Sequence, residues 1–284
     1  MNIILRRGKL KAGNAHMYLI KNQLSKGIFI TFTGFVGAPI FGYADVQCGD
    51  VITTIETMDQ DLIDCPADPA VTVQGPTGIL FMNGHTIQCD LGDGTGILLE
   101  GTAGFVSGDG EVRQCTVGIS VEGVGFHTVQ EVFAFVNTNA SIEVISDYNS
   151  VRFNDLQNSL FNGVNILGEN NSLVNNVLFN FGGTGIYING DSALVSGNAI
   201  DINGGDAGII LDVTNGSRII QNEVVDAEDG IIMTASGQLN NVISSNVVSG
   251  SVNFDLLDQN ADACTSSNVW FGNIVTTTDP ACLE

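Results

Sequence analysis

The sequence predicts a right-handed parallel β-helix that forms a single domain, and three observations favour this fold. From residue 96 onward, a start of the form Gly-apolar-x-apolar recurs at intervals of 22 or 23 residues, which is typical of a solenoid. The short segments between turns are rich in Val and Ile, as β-strands are. No stretch has the periodicity of an amphipathic helix. Because a single coil has no partner for its apolar side, stacked coils must supply the core.

Each coil is predicted to hold two or three short strands separated by turns. A glycine at the coil start suits a sharp corner, and an asparagine about thirteen to sixteen residues later tolerates a left-handed turn and hydrogen-bonds from coil to coil. The coil starts are GILL at 96, GISV at 118, SIEV at 141, GVNI at 163, GIYI at 185, GIIL at 208, GIIM at 230 and NFDL at 253. The asparagines are Asn154, Asn176, Asn198, Asn222, Asn246 and Asn268.

A leucine-rich repeat is the rival solenoid because its period overlaps with this one. The coils lack its leucine framework and are rich in Gly, Asn and Val instead. An open coil end exposes strand edges, so both ends of the β-helix need covers. Residues 45–68 are predicted to form the N-terminal cap and residues 264–284 the C-terminal cap.

Residues 1–44 are predicted to be a secretory signal peptide. Six basic residues precede an apolar run over 28–43, and small residues stand at Gly42 and Ala44. The alternative is an N-terminal anchor that is not cleaved. No later segment is apolar enough to span a membrane, so we expect a mature chain of residues 45–284 that is extracellular or periplasmic.

The mature chain is strongly acidic. Residues 45–284 contain all 31 acidic residues, three arginines and no lysine, which gives a formal charge of −28. Such a surface repels nucleic acid and anionic lipid, because both need cationic contacts. Nucleic acid is therefore excluded as a partner, whereas the oligomeric state is left open.

All six cysteines follow the predicted cleavage site, and their even number in an exported chain predicts disulfides. Cys48 and Cys65 bracket the N-terminal segment, and Cys264 and Cys282 bracket the C-terminal one. Cys89 and Cys115 end two similar strings, GHTIQC and GEVRQC. If these strings stack on adjacent coils, the two sulfur atoms lie within bonding range.

The opening of the mature chain resembles a known superfamily. The residues concerned are Cys48-Gly-Asp-Val-Ile-Thr, Asp61-Leu62, Cys65 and the string Asn83-Gly84-His85-Thr86-Ile87. They resemble the start of secreted right-handed β-helix repeat proteins of the pectin-lyase-like superfamily, and the resemblance covers nearly the whole mature chain. It implies a substrate groove along the outer face of the first strand. The superfamily includes polysaccharide lyases, hydrolases, epimerases and adhesins, so the fold does not choose a function.

In each repeat, we assign the first and third residues after the coil start to the interior, as with Ile97 and Leu99. The outward positions then carry Glu100, Ser120, Glu122, Glu143, Asn165, Tyr187, Asn189, Asp212, Thr234 and Asp255.

Glu100 and Glu122 hold the same place in successive coils, where neighbouring strands lie about 4.8 Å apart. Carboxyl groups of retaining glycosidases are about 5 Å apart. We therefore assign Glu100 and Glu122 as the catalytic acid and nucleophile pair, with Glu143 diagonal to them and tuning them. The same three carboxylates are the candidate ligands for calcium, which prefers oxygen. No other cofactor is expected.

Tyr187, Asn165 and Asn189 are the predicted substrate-binding residues, because an outward tyrosine stacks on sugar rings. The phenylalanines are expected to fill the core, and His85 and His127 are expected in turns without a partner. A lyase or epimerase is less favoured, because the three arginines map away from the first strand. No methionine or histidine cluster indicates a copper site.

The function predicted from the sequence is that of a secreted β-helix protein that binds or processes carbohydrate. If it is an enzyme, glycoside hydrolysis is favoured. The alternative is a non-catalytic structural or adhesive extracellular protein, in which the acidic column is simply solvated.

Overall fold

The computed structural model describes residues 45–234, 237–260, 263 and 265–283. These residues form a parallel β-helix of about ten coils, as predicted. Each complete coil contributes one strand to each of three parallel sheets. The predicted signal peptide lies outside the described residues, and so does Cys264. No helix in the described part of the chain is long and apolar enough to cross a membrane.

The strands of each sheet follow one another in chain order, one coil at a time. Within the described residues, the first sheet contains Asp50–Ile52, Val71–Gln74, Thr95–Glu100, Val117–Val121, Ala140–Val144, Asn162–Ile166, Thr184–Ile188, Ala207–Leu211, Asp229–Met233, Leu256–Asp258 and Thr278–Asp279. The second contains Ile55–Thr57, Ile79–Phe81, Phe105–Ser107, Thr128–Gln130, Ser150–Arg152, Ser172–Val174, Leu194–Ser196, Arg218–Ile220, Val242–Ser244 and Val269–Phe271. The third contains Leu62–Cys65, Thr86–Cys89, Glu111–Arg113, Phe133–Phe135, Asp155–Gln157, Val177–Phe179, Ala199–Asp201, Glu223–Val225 and Val247–Ser249.

The interior of the coils is filled by aliphatic side chains. The predicted inward residues of the first sheet are buried, from Ile97 and Leu99 to Ile186 and Ile188, so this assignment is confirmed. They align from coil to coil, with Ile97 beside Ile119 and Ile119 beside Ile142. Full burial of each such side chain contributes about 1.5–3 kcal/mol to folding.

Glycine is required at the coil starts for a different physical reason from the predicted one. Gly96, Gly118, Gly163, Gly185, Gly208 and Gly230 do not adopt the left-handed backbone that a sharp corner needs. Instead, the next coil approaches them closely. A Cβ on Gly185 would lie 2.7 Å from the carbonyl oxygen of Gly208 and 2.7 Å from Cγ2 of Ile200. A larger residue at this place would push two coils apart.

The predicted asparagine ladder exists between the second and third sheets. Each member accepts the backbone N–H of its counterpart one coil earlier, as in Asn154 N–H to Asn176 Oδ1 at 2.9 Å and Asn176 N–H to Asn198 Oδ1 at 2.9 Å. The left-handed backbone belongs to the preceding residue, such as Phe153 with φ 57°. Hydrogen bonding, rather than turn conformation, therefore explains these asparagines.

A second ladder, between the first and second sheets, is built from Asn149, Asn171, Ser217, Asn241 and Asn268. Asn268 was assigned to the first ladder, and this was wrong. Asn246 donates its N–H to Asn273 Oδ1 at 3.0 Å, so Asn273 ends the first ladder.

The register predicted for the last coil was also wrong. Ile231 pairs with Leu256, so the coil is 25 residues long and the string NFDL at 253 is two residues out of phase. Asp255 is therefore not an outward residue. It is 2% exposed, and its carboxylate accepts the N–H groups of Thr276 at 2.7 Å and Thr277 at 3.1 Å.

Two of the proposed disulfides are confirmed, Cys48–Cys65 and Cys89–Cys115. Cys282 is also disulfide-bonded. Residues 45–68, predicted as a cap, contain one strand of each sheet and form the first coil. Residues 265–283 contain the last strand of the second sheet and the last strand of the first sheet.

Candidate functional site

The outer face of the first sheet carries two columns of side chains. The middle column runs through Leu98, Ser120, Glu143, Asn165, Tyr187, Ile210 and Ile232, which are paired in register. The second column follows at the strand ends and contains Glu100, Glu122, Ile145, Leu167, Asn189, Asp212 and Thr234. We call the polar members of these columns from Ser120 to Thr234 the polar row: Ser120, Glu122, Glu143, Asn165, Tyr187, Asn189, Asp212 and Thr234.

Glu100 and Glu122 stand at equivalent places on neighbouring coils. Leu99 pairs with Val121, and each glutamate follows directly after its member of this pair. Glu100 is exposed, whereas Glu122 is partly buried and accepts the hydroxyl proton of Ser120 at 2.8 Å. The strand register therefore brings these two predicted catalytic residues side by side.

Glu143 lies in the middle column, paired with Ser120, and is diagonal to Glu122 as predicted. Its Oε1 accepts an amide N–H from Asn165 at 3.3 Å. Asn165 is 8% exposed, and its Oδ1 accepts from Asn162 at 2.8 Å. Thus Glu143 belongs to a hydrogen-bonded group with two amides.

Tyr187 and Asn189 belong to a group centred on Asp212. The hydroxyl of Tyr187 donates to Asp212 Oδ2 at 2.6 Å, and Thr234 donates to Asp212 Oδ1 at 2.8 Å. Asn189 donates to the tyrosine oxygen at 3.4 Å. Burial raises the pKa of Tyr187, and the hydrogen bond to Asp212 raises it further. The phenol therefore stays protonated and holds the carboxylate in a fixed orientation.

His127 lies directly behind the polar row and does have partners, contrary to prediction. It is buried, its Nδ1 accepts the N–H of Gly104 at 2.9 Å, and its Nε2 contacts the carbonyl oxygen of Glu122 at 2.7 Å. Because a carbonyl oxygen only accepts, Nε2 carries the proton of a neutral ring. Burial lowers the pKa of His127. The ring thus fixes the backbone that bears Glu122.

The other described histidine, His85, lies in a turn, as expected, but it has a partner, contrary to prediction. His85 Nδ1 is 3.1 Å from Asp61 Oδ1. The N–H of Thr86 lowers the pKa of Asp61 most, and the hydrogen bond from His85 adds to this effect. His85 is on a different part of the coil from the polar row.

Side chains that ligate metals are dispersed. Among the described residues, no group of three or more His, Cys, Asp or Glu side chains is placed to hold a metal ion. Glu100, Glu122 and Glu143 are therefore not held as a ready-made calcium site. Met58, Met82 and Met233 are buried in the core.

The prediction that phenylalanines fill the core was wrong. Of those that the structure describes, Phe181 alone belongs to the buried core, whereas Phe126, Phe153 and Phe161 are 56%, 53% and 62% exposed. The ring of Phe126 stacks on Tyr148 at 5.1 Å, in the turns that follow the strands of Ser120 and Glu143. The alternation Phe133-Ala134-Phe135, with a small inward residue between two outward rings, is the signal that the sequence offered for this arrangement.

Residues 74–278 match the family described as "Periplasmic copper-binding protein (NosD)". The chain belongs to the NosD family. The match extends over most of the coils, including every residue of the polar row. No curated protein matches this NosD-family chain. Family membership and the two disulfides are consistent with an extracellular or periplasmic location.

The NosD-family chain is also similar in structure to the Dettilon tailspike protein (gp208), with a TM-score of 0.55 and 15% sequence identity. The similarity covers 79% of this chain and 50% of the tailspike chain, so the chain spans half the length of that protein. At this identity the likeness concerns the fold alone. It agrees with a parallel β-helix repeat protein, whereas the narrower pectin-lyase-like assignment stays a prediction.

Proposed function

We propose that this protein acts outside the cytoplasm by binding carbohydrate along the outer face of the first sheet. The observation that carries the proposal is the polar row, which occupies successive coils and ends in the group around Asp212. Carboxylates, amides and hydroxyls at a strand spacing of about 4.8 Å suit a polymer with repeated hydroxyl groups. Tyr187 adds an aromatic ring that is partly exposed on the same face.

The description of the NosD family names copper, but the described residues include no cluster of side chains that fits that metal. Copper prefers imidazole, thiolate and thioether ligands. Here the methionines Met58, Met82 and Met233 are buried in the core, and both ring nitrogens of His127 are engaged by backbone groups. Cys48, Cys65, Cys89 and Cys115 are consumed by disulfides. We therefore assign no copper chemistry to these residues.

Glycoside hydrolysis is a second candidate, and the placement of Glu100 beside Glu122 favours it. Neighbouring strands lie about 4.8 Å apart, which would allow these two carboxyl groups the separation of about 5 Å that retaining glycosidases use. In this proposal one glutamate protonates the leaving oxygen, the other attacks the sugar, and Glu143 tunes the pair. A lyase is less favoured, because none of the three arginines that the structure describes lies on the first sheet.

Binding is tested by affinity electrophoresis and calorimetry against a panel of neutral and acidic polysaccharides. We expect Tyr187→Ala to weaken binding by roughly tenfold or more, because aromatic residues dominate binding energies. Phe179→Ala is the matched control, because Phe179 is an exposed aromatic residue on the third sheet. Equal affinities of the two variants would place the ligand elsewhere.

Hydrolysis is tested on the same panel by reducing-end release, with calcium and with chelator. We expect Glu122→Gln to abolish release while binding and the circular dichroism spectrum are retained. Binding without release by the native protein would make it a carbohydrate-binding protein without this activity. A folded protein that neither binds nor releases sugar would support the structural or adhesive alternative. Release that requires calcium would support the predicted calcium ligands Glu100, Glu122 and Glu143.

A further inference from the structure

The hydroxyl groups of the polar row already donate hydrogen bonds within the protein. The hydroxyl groups of Tyr187 and Thr234 donate to Asp212, and the hydroxyl group of Ser120 donates to Glu122. Asn165 and Asn189 each direct an amide hydrogen to another member of the row. A carboxylate has about four lone-pair sites, so Asp212 keeps acceptor capacity after accepting two hydrogen bonds. The row therefore offers an excess of acceptors.

Among the described residues, no lysine or arginine lies in a strand of the first sheet to offset this excess. Arg113 lies in a strand of the third sheet and pairs with Glu111 at 3.3 Å. Arg152 and Arg218 lie in strands of the second sheet. Residues 45–284 contain no lysine. A ligand that carries carboxylate or sulfate groups would face Glu100, Glu122, Glu143 and Asp212 without any opposing charge.

We infer that the ligand of this face is an uncharged glycan, whose neighbouring hydroxyl groups donate to Asp212. The inference rests on the proposed carbohydrate-binding function and narrows it. Ring hydroxyls supply the donors that the row lacks, and they also accept the remaining amide hydrogens of Asn165 and Asn189. Asp212 is then the residue that selects neutral over acidic glycans, and Tyr187 and Thr234 position its carboxylate.

The test compares neutral mannan and β-glucan with polygalacturonate and alginate. Binding is measured by calorimetry in EDTA, so that calcium does not bridge acidic groups, at low and at high NaCl. We expect the neutral glycans to bind at both salt concentrations and the acidic ones at neither. Acidic polysaccharides that bind in EDTA as tightly as the neutral ones would overturn the inference while leaving the proposed function intact.

The role of Asp212 is tested with Asp212→Asn, which keeps the size of the side chain. A hydrogen bond to a charged group contributes about 1.5–3 kcal/mol, so we expect affinity for the neutral glycan to fall about 10- to 100-fold. Glu223→Gln is the matched control, because it removes one charge from an exposed residue on the third sheet. An equal effect of the two substitutions, or none from Asp212→Asn, would overturn the assignment. If the folded protein retains no glycan at all, the proposed function fails together with this inference.

Discussion

At the scale of single residues, the contacts of His127 favour the neutral form of its buried ring. Its neutral ring accepts from Gly104 and donates to the carbonyl oxygen of Glu122. Protonation of Nδ1 would replace an acceptor by a donor that faces the N–H of Gly104. Protonation of the buried ring is therefore disfavoured for two reasons, the loss of hydration and the loss of a hydrogen bond.

We expect the free energy of unfolding to decrease as the pH falls below about 6.5, which is the ordinary pKa of histidine. The pKa of His127 is lowered by burial in the folded protein. In the window between that lowered pKa and 6.5, the unfolded chain binds a proton that the folded protein does not, so unfolding is favoured. Above this window the stability is retained. Each pKa unit between the two states corresponds to about 1.4 kcal/mol.

Urea denaturation between pH 7.5 and 5 measures this effect. His127→Gln should weaken the dependence on pH, whatever its effect on stability at pH 7.5, whereas His85→Gln should preserve it. Burial raises the pKa of Asp155 and Asp201, which acts in the opposite sense at lower pH, but both carboxyl groups are present in every variant compared. An unchanged dependence on pH in His127→Gln would contradict the prediction.

At the scale of elements, the two ladders fix how one coil sits on the next. Asn198 is buried, and its Oδ1 accepts from both the backbone N–H and the Nδ2 of Asn176, at 2.9 and 3.0 Å. Its own Nδ2 donates to the carbonyl of Leu173 at 3.0 Å and to Asn222. One side chain thus satisfies the backbone carbonyl of Leu173 and the backbone N–H of Asn176, at the turn that follows the strand Ser172–Val174.

Asn198→Ala should therefore lower the free energy of unfolding by about 3 kcal/mol or more, since each buried polar group left unpaired costs about 1–3 kcal/mol. Chemical denaturation followed by circular dichroism measures the loss. Asn139→Ala is the control, because Asn139 is exposed and its substitution should cost less than about 0.5 kcal/mol. Similar losses in the two variants would show that the ladder does not carry the stability assigned to it.

At the scale of the whole molecule, the sequence period predicted the fold and the inward residues. These features depend on patterns that every coil repeats. The last coil did not follow this period because it is longer than expected, so Asp255 is buried and Asn268 belongs to the second ladder.

The candidate site was only partly predictable for a related reason. Strand register placed Glu100 beside Glu122 and Asn165 beside Tyr187, and this followed from the period alone. The bond from Tyr187 to Asp212 crosses 25 residues of sequence and runs diagonally between columns. Which side chain turns toward which neighbour depends on rotamers and on the space left by adjacent coils. Periodicity carries no information about either.

The positions of the two described disulfides bear on the order of assembly. Both lie in the first coils, at Cys48–Cys65 and Cys89–Cys115, and a growing polypeptide presents these coils first. A cross-linked first coil offers a ready edge in all three sheets, so every later segment meets a template rather than having to nucleate alone. We therefore expect the coils to fold in order from the N-terminal end, with each folded coil acting as the template for the next.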